Sequence, residues 1–356
     1  MRQRTIRQKF GTAVFTSNKI VAAPVTWSQQ VVKDQEVSAV VLNSGGANAC
    51  TGPDGFADTH KSAEIVAGTL GINAGDVVVC STGMIGLRLP MDNLMGGIVN
   101  AAASLKRDSG LDTAEAIMTT DSHPKYFAAT INGVSIYGMA KGAGMLAPSL
   151  ATMLSVIAID AVVEPAIATE VFEKVVSKTF NRIDSDGCTS TNDTVLLMAS
   201  GASGISLTAK ELEHMLMECC GYLAFELIGD AEGHSKIVSI VTKNAASEED
   251  AIEIGRSCAR NNLLKCAIHG EDPNWGRVLA AIGTTSAQFD PYSIDVSLNG
   301  VMVCKNSAPG DDRSLVNMKD KEVEILIDLK AGNHQATIWT NDLTAEYVHE
   351  NSSYSS

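Results

Sequence analysis

The segment Lys141-Gly-Ala-Gly-Met-Leu-Ala-Pro-Ser-Leu-Ala-Thr-Met-Leu154 decides how the fold and chemistry of this chain are interpreted, through its dipeptide Ala151-Thr152. A threonine inside a chain is a poor nucleophile because no adjacent group takes its proton. If the peptide bond before it is cut, the same residue carries a free α-amine, with a pKa near ~8, within reach of its own hydroxyl. Nucleophile and general base then arrive together. Self-cleavage of this kind needs a small preceding residue, a flexible turn and nearby oxyanion donors, and the segment itself supplies the first two.

Two other interpretations of the segment are open from the residues alone. A Gly-rich loop could lead into a helix, with Ser149 as its N-cap and Thr152 on the helix. Alternatively, the pattern Gly142-x-Gly144-x-x-Ala147 could be a dinucleotide fingerprint between a strand and a helix. That fingerprint requires a second strand with an acidic end, and Asp160 falls instead inside the apolar stretch that follows.

The composition indicates a globular protein with a substantial core. The chain has 356 residues, of which 45% are hydrophobic, enough for one large domain or two ordinary ones. Its formal charge is −14, from 41 acidic and 27 basic residues. A polyphosphate partner would be repelled, so we expect neither nucleic acid nor an anionic membrane surface as a partner.

The cysteine and histidine patterns predict neither a disulfide framework nor a metal site. The eight cysteines are scattered without a C-x-x-C pair, and the basic start Met1–Lys9 lacks the apolar core of a signal peptide. No uninterrupted apolar run reaches the ~18 residues of a membrane span. The histidines lack zinc spacing, and Asp184-Ser-Asp-Gly187 lacks the later positions of a calcium loop. We therefore expect a cytoplasmic protein with reduced thiols and no metal.

Hydrophobic patterning predicts both strands and helices along the chain. Asn-Gly pairs, which favour type I′ turns, indicate hairpins. The predicted strands are 37–42, 76–80 and 116–118; the predicted helices are 59–70 and 89–106; and the predicted hairpins pair 127–131 with 134–138, 294–298 with 301–304, and 322–329 with 335–339.

Two further stretches have the character of helices. Pro148–Val163 is apolar nearly all round, which is typical of a buried helix. Glu248–Lys265 opens with the capping pattern Ser247-x-x-Asp250. Strands and helices mix without a regular βαβ period, so the pattern favours α+β layers over a doubly wound parallel sheet.

Taken together, several blocks of the chain resemble the ornithine acetyltransferase (ArgJ) family. They follow one another in the family's order from about residue 20 to the last residue. Besides the opening segment, the blocks are Asn43-Ser-Gly-Gly-Ala-Asn-Ala-Cys-Thr-Gly52, Ser81-Thr-Gly-Met-Ile-Gly86, Thr119-Thr-Asp121, Ser190-Thr-Asn-Asp-Thr194, Asp272-Pro-Asn-Trp-Gly-Arg277 and Glu346-Tyr-Val-His-Glu-Asn351. The resemblance implies a layered α/β sandwich of the ornithine acetyltransferase/DmpA type with a second, smaller α/β domain. Family members usually begin some tens of residues before the counterpart of Phe10–Phe15, with a Gly-rich segment that supplies strands.

The resemblance also implies self-cleavage between Ala151 and Thr152. Thr152 would be the nucleophile and the new N-terminus. The chain would divide into an alpha chain, residues 1–151, and a beta chain, residues 152–356, which the family assembles as two copies of each.

The resemblance assigns the remaining site residues. The hydroxyl of Thr82 and the backbone N–H of Gly83 would form the oxyanion hole, and both follow a predicted strand end, where a turn can aim donors at a carbonyl oxygen. Lys141 would neutralise a substrate carboxylate, and Glu232 would receive an ammonium group. Thr119 could take the place of Thr120 in the implied substrate contacts, which are Thr120, Lys141, Thr152, Glu232, Asn351 and Ser356.

The function that the resemblance implies is acetyl transfer from N-acetylornithine to glutamate in arginine biosynthesis, through an acetyl-threonine ester. No cofactor is implied, although acetyl-CoA is a candidate co-substrate. An N-terminal-nucleophile aminopeptidase or amidase, with water as acceptor, is the alternative enzyme. A nicotinamide-binding oxidoreductase and a non-catalytic binding protein would both leave the chain uncleaved.

Overall fold

The computed structural model describes residues 8–146 and 153–353, which divide into two compact units. The first unit holds the described residues up to Asn181 together with Cys188–Asp230. The second holds Arg182–Gly187 and the described residues from Ala231 onward. The predictions for Ala147, Ser149, Ala151, Thr152 and Ser356 lie outside the described residues.

The first unit contains strands and helices in irregular alternation. In chain order they are β1 (Phe10–Phe15), α1 (Ala23–Val31), β2 (Ala39–Asn43), α2 (Gly52–Leu70), β3 (Val77–Ser81), α3 (Met91–Ala103), α4 (Gly110–Ala116), β4 (Lys125–Ile131), β5 (Val134–Lys141), β6 (Leu154–Ile159), α5 (Pro165–Lys178), β7 (Thr194–Ala199) and α6 (Ala209–Gly229). Five strands form a mixed sheet in the order β1-β7-β6-β5-β4, in which only β6 and β7 run parallel. Strands β2 and β3 form a separate parallel pair.

Side-chain alternation along the strands sets the layers of the first unit. On β5, Met139 belongs to a buried cluster with Val78 and Cys80 of β3, so this face of the large sheet meets the small sheet. The preceding Gly138 faces the other way, where an added Cβ would lie 2.4 Å from Cys219 Sγ of α6. On the far side of the small sheet, Val79 packs with residues of α2 and α3. Helices and sheets are therefore stacked in layers with cores between them.

The second unit is built on a six-stranded sheet. Its elements are β8 (Ile237–Ala245), α7 (Glu248–Ala259), α8 (Asn262–His269), α9 (Trp275–Ile282), β9 (Asp295–Leu298), β10 (Val301–Lys305), β11 (Ala308–Pro309), β12 (Glu322–Asp328), β13 (His334–Asn341) and α10 (Ala345–Ser353). The strand order is β11-β10-β9-β12-β8-β13. One buried cluster joins this sheet to α7, α8 and α9. The predicted mixture of helices and strands is thus confirmed.

In the first unit the predicted strands 37–42 and 76–80 and helices 59–70 and 89–106 are confirmed with shifted ends, as β2, β3, α2 and α3. The hairpin at Asn132-Gly133 is confirmed, with both residues in the left-handed region at φ 51° and 82°. The predicted strand at 116–118 is wrong, because Ala116 ends the short helix α4. The predicted helix Pro148–Val163 is wrong in its described part, where Leu154–Ile159 is strand β6. Within the described residues, strand β6 stands where the dinucleotide fingerprint requires a helix, which argues against that fingerprint.

In the second unit, the hairpin at Asn299-Gly300 is confirmed. The third predicted hairpin is wrong, because β12 and β13 both pair with β8, which lies between them. Ser247 accepts a hydrogen bond from the Asp250 amide, as the capping pattern predicted. The long helix that this cap was expected to start is two helices, since Asn261 caps a new one.

Three further observations bear on the helices, the cysteines and the stretch that resembles a calcium loop. Within the described ranges, every helix is too short or too polar to cross a bilayer. All eight cysteines are free thiols. Asp184, from the stretch that resembles a calcium loop, is buried and paired with Arg260 at 2.8 Å.

Candidate active site

The turn after β3 presents Thr82 and Gly83 in a fixed conformation. The Thr82 amide donates to the Asn43 carbonyl at 3.0 Å, and its carbonyl accepts from the Gly46 amide at 3.0 Å. Gly83 has φ +128°, and a Cβ there would lie 2.9 Å from the backbone of Gly46. Because backbone atoms cannot move aside, only glycine fits at this position. The turn is therefore built to hold one hydroxyl and one backbone N–H in place.

Lys141, the last residue of β5, lies against this turn. Its Nζ donates to Thr82 Oγ1 at 3.2 Å, and both side chains are 2% exposed or less. An ammonium group only donates hydrogen bonds, so the Thr82 oxygen accepts here and keeps its own proton for another acceptor. The ammonium also adds positive charge beside that hydroxyl, which suits stabilisation of a negatively charged oxygen.

A buried ionic cluster supports the same region of the first unit. Lys125 Nζ donates to Asp121 Oδ1 at 2.7 Å and to Asp230 Oδ2 at 2.6 Å, and the Lys125 side chain is 0% exposed. Asp121 Oδ1 also accepts the Gly142 amide at 2.7 Å. Burial raises the pKa of Asp121, but the charges of Lys125 and Lys141 outweigh it, so the pKa lies below its ordinary value.

A second buried carboxylate, Asp193, lies directly before β7. Its Oδ1 accepts the Met153 amide at 3.0 Å, and the residue is 0% exposed. Burial raises its pKa well above the ordinary value, although the Met153 amide, nearby Ser190 and the charge of Lys141 act in the opposite direction. The neighbouring Asn192 donates to the carbonyls of Ser81 and Ala47, at 2.8 and 2.6 Å. The block that contains Asp193 is therefore tied to the Thr82 turn.

Sheet register brings the flanks of the predicted cleavage point together. Lys141 on β5 is opposite Leu154 on β6, and Leu154 is opposite Thr194 on β7. The chain between Lys141 and Leu154, which contains residues 151 and 152, thus leaves the sheet and returns to it at neighbouring positions. Asp121 holds the Gly142 amide at one end, and Asp193 holds the Met153 amide at the other.

Two other predicted substrate contacts, Glu232 and Asn351, belong to the second unit. Glu232 is 8% exposed and precedes Gly233, where a Cβ would lie 2.2 Å from the Tyr347 nitrogen of α10. The Asn351 side chain lies on the same helix, is exposed and donates to the Tyr347 carbonyl at 3.0 Å. The turn with Glu232 and the helix with Asn351 therefore pack against each other.

The structure thus sorts the predicted residues into groups. Thr82, Gly83 and Lys141 come together in the first unit. Thr119 and Thr120 are exposed and directly precede the buried Asp121, whose Oδ2 accepts the Thr119 amide at 3.0 Å. An apolar cleft of about 920 Å³ elsewhere on this unit has none of the predicted residues in its lining.

Comparison with known proteins decides the family. The profile of the ArgJ family matches residues 5–356. The chain belongs to the ArgJ family. It is 58% identical over 349 residues to "Arginine biosynthesis bifunctional protein ArgJ 1" of Streptomyces clavuligerus, covering 98% of this chain and 91% of that protein. The ArgJ protein of Streptomyces coelicolor is 56% identical, with the same coverage of both chains.

A solved structure supports the assignment independently. The arginine biosynthesis bifunctional protein ArgJ of Bacillus halodurans superposes with a TM-score of 0.52 at 31% identity, covering 55% of this chain and 96% of that one. The predicted ArgJ recognition is therefore confirmed, and the architecture agrees with an ArgJ structure over the superposed part.

Sequence reasoning missed the buried charges beside the candidate site. Asp121 and Asp193 lie in blocks that pointed to the family, and Asp230 lies two residues before the predicted Glu232, yet none of the three received a role. Lys125 was not singled out either. The available signal was a carboxylate directly after polar residues at a strand end, which is also common in ordinary turns.

Proposed function

We propose that this ArgJ-family chain is a glutamate N-acetyltransferase of arginine biosynthesis that moves acetyl from N-acetylornithine to glutamate. The observation that carries the proposal is the meeting of Thr82, Gly83 and Lys141 beside the flanks of the Ala151-Thr152 bond. The curated relatives, named arginine biosynthesis bifunctional proteins, support the pathway.

The first half-reaction forms an ester on Thr152. The hydroxyl oxygen attacks the acetyl carbonyl carbon while the α-amine of the same residue takes its proton. The Thr82 hydroxyl and Gly83 N–H donate to the resulting oxyanion, and the Lys141 ammonium orients the Thr82 oxygen. The carbon–nitrogen bond then breaks, the proton passes to the leaving amine, and ornithine departs.

The second half-reaction returns the enzyme to its starting form. The amine of glutamate attacks the acetyl-threonine carbonyl, the same donors stabilise the oxyanion, and the Thr152 oxygen leaves with a proton. Because ornithine departs before glutamate reacts, ping-pong kinetics are expected. Thr120, Lys141, Glu232, Asn351 and Ser356 are the proposed substrate contacts, with Glu232 receiving the substrate ammonium.

Self-cleavage would use the same hydroxyl, in an N→O shift at the Ala151 carbonyl. Residues 1–151 and 152–356 would remain associated, since β5 pairs with β6 and β1 pairs with β7 across the two fragments. We further propose an assembly of two alpha and two beta chains. The stacked layers of the first unit support a sandwich of the ornithine acetyltransferase/DmpA type, and the eight free thiols support the cytoplasm.

A second donor is proposed for the same site. The relatives are named bifunctional, which supports a further activity. We propose acetyl-CoA as a co-substrate that acetylates Thr152 directly, with no bound cofactor or metal. Formation of N-acetylglutamate from acetyl-CoA and glutamate alone would test it.

Intact mass measurement tests the proposal. The purified chain of 37.4 kDa should give fragments of about 16 and 21.5 kDa, in proportion to 151 and 205 residues. N-acetylornithine without glutamate should then add one acetyl group to the larger fragment only. Active protein that remains a single chain would refute the proposal, and ornithine release that continues without glutamate would favour the amidase alternative.

The variant Thr152→Ala provides the matched control. It removes the hydroxyl that cuts the chain and carries the acetyl group, so it should remain uncleaved and inactive. Normal fragments from this variant would show that another group performs the scission.

A further inference from the structure

Asp193 is a buried carboxylate that the proposed mechanism does not use. It is 0% exposed, and desolvating a carboxylate costs several kcal/mol unless hydrogen bonds or charges offset the cost. Oδ1 accepts the Met153 amide. The carboxyl group also lies close to Ser190, which acts to lower its pKa. An apolar side chain would avoid the cost of burying a polar group, so an acceptor at this position calls for an explanation.

The donor that Asp193 holds is chemically special. Met153 N is the nitrogen of the peptide bond joining residues 152 and 153. That unit is planar, with a C–N bond of ~1.33 Å, and its plane includes the Cα atoms of both residues. The Met153 carbonyl accepts the Thr194 amide at 3.3 Å, so a hold on the Met153 N–H as well restrains this plane and with it the Cα atom of residue 152.

Asp193 is itself held from both sides. Its carbonyl accepts the Thr16 amide at 3.0 Å, and the next residue, Thr194, is in register with Phe15 on β1 and Leu154 on β6. The carboxylate therefore projects from a backbone that neighbouring strands lock. Groups supported in this way hold a reacting atom more precisely than groups on free loops.

We propose that Asp193 is a positioning residue for the nucleophile. By accepting the Met153 amide hydrogen, it sets the peptide plane that carries Thr152, both in the uncleaved chain and in the processed enzyme. This inference rests on the proposed role of Thr152. It adds a hydrogen-bond acceptor for the backbone next to residue 152 to the donors proposed for the oxyanion.

The test compares Asp193→Ala, Asp193→Ser and Asp193→Asn. Alanine removes the acceptor, serine keeps a polar group one bond too short to reach, and asparagine keeps an acceptor oxygen at the same distance. Because a misplacement of ~1 Å can cost ~100-fold in rate, Ala and Ser should slow self-cleavage and kcat by about 10- to 100-fold. KM for N-acetylornithine should change by less than about threefold, since ground-state contacts are untouched. Asn should restore both rates to within about fivefold of the natural chain.

Asp160→Ala is the matched structural control. Asp160 lies directly after β6, where its Oδ1 accepts the Ser135 amide at 2.8 Å, so it makes the same kind of contact at the opposite end of the same strand. Its loss should leave self-cleavage and kcat within about twofold of the natural chain.

Several outcomes would overturn the role of Asp193. They are wild-type rates in Asp193→Ala, an Asp193→Asn variant as slow as the alanine variant, or equal slowing in Asp160→Ala. Failure of the Ala and Ser variants to fold while Asp160→Ala folds would make Asp193 purely structural. A natural chain that is never cleaved or acetylated would instead refute the proposed function, so the two failures are distinguishable.

Discussion

Replacing Lys125 with methionine tests the buried ionic cluster. Methionine matches the length and apolar stem of lysine but lacks its charge. Lys125 Nζ lies 2.7 Å from Asp121 Oδ1 and 2.6 Å from Asp230 Oδ2, and all three side chains are buried. The substitution therefore leaves two carboxylates in the interior without the cation between them.

The expected loss is large relative to the stability of a domain. Removing one partner of a buried ion pair typically costs about 3–5 kcal/mol, because the remaining charge is desolvated without compensation. For units of roughly 150–250 residues, each kcal/mol lowers Tm by about 2–4 °C. Lys125→Met should therefore lower Tm by roughly 6–20 °C. Asp230→Asn in the same background should recover part of the loss by removing one charge.

The loss of unfolding free energy in Lys125→Met should depend on pH. In the natural chain the pKa of Asp121 is depressed, so its stabilisation is present above the unfolded value of ~3.9 and lost as pH falls through the folded pKa. Without Lys125, burial should push that pKa above the unfolded value. The folded variant then binds protons more readily than the unfolded one, so its deficit in unfolding free energy should shrink between pH 7 and 5.

Denaturant unfolding at pH 7 and pH 5 measures both effects. Lys61→Met is the control, because Lys61 forms an exposed pair with Glu64 and should matter by less than ~0.5 kcal/mol. A Lys125→Met variant within about 1 kcal/mol of the natural chain at pH 7 would refute the reasoning. A deficit that grows on acidification would refute it equally.

Two predictions concern the proposed site. Thr82→Ala removes the hydroxyl that accepts from Lys141, and it should lower kcat by ~10²-fold or more in the cleaved enzyme. An unchanged turnover number would remove Thr82 from oxyanion stabilisation. Glu232→Gln should raise KM for N-acetylornithine at least ~10-fold while sparing hydrolysis of a generic acetyl ester, because only the former offers an ammonium group. Equal losses on both substrates would argue against contact with that group.

The features that the sequence predicted correctly are local ones. Asn132-Gly133 and Asn299-Gly300 form turns because two consecutive residues must adopt positive φ, and asparagine followed by glycine does so at low cost. The Ser247 cap forms for a comparable reason, since its hydroxyl satisfies an amide three residues away. In each case the structure depends on residues within one turn of chain.

The errors arose where distant strands decide the outcome. Leu154–Ile159 is apolar on both faces because β5 and β7 flank it and layers cover it, and an apolar run of that length fits a helix equally well. Strands β12 and β13 are consecutive in sequence, yet β8 inserts between them. Neither local propensity nor turn residues indicate that a distant strand lies between two consecutive ones.

For the candidate site as well, local features could be predicted from the sequence and long-range burial could not. Thr82 and Gly83 could be named because the family block contains them, and a strand-end turn explains their geometry. The sequence could not predict that Lys125 and Asp193 are fully buried, because a lysine or aspartate near a turn is usually solvated. Their burial depends on residues far along the chain, such as Asp230 for Lys125.

The strand order also explains how a chain could survive a cut beside its own active site. The bond between residues 151 and 152 falls in sequence between β5 and β6, so scission there would break none of the strand pairings among the described residues. The buried cluster between the sheets draws Val78 and Met139 from before the cut and Val156 and Leu196 from after it. Separating the fragments would expose this whole apolar surface, at roughly 25 cal/mol per Å². If the proposed cut occurs, Lys141 and Leu154 should therefore remain opposite each other, held by the strand pairing that existed before it.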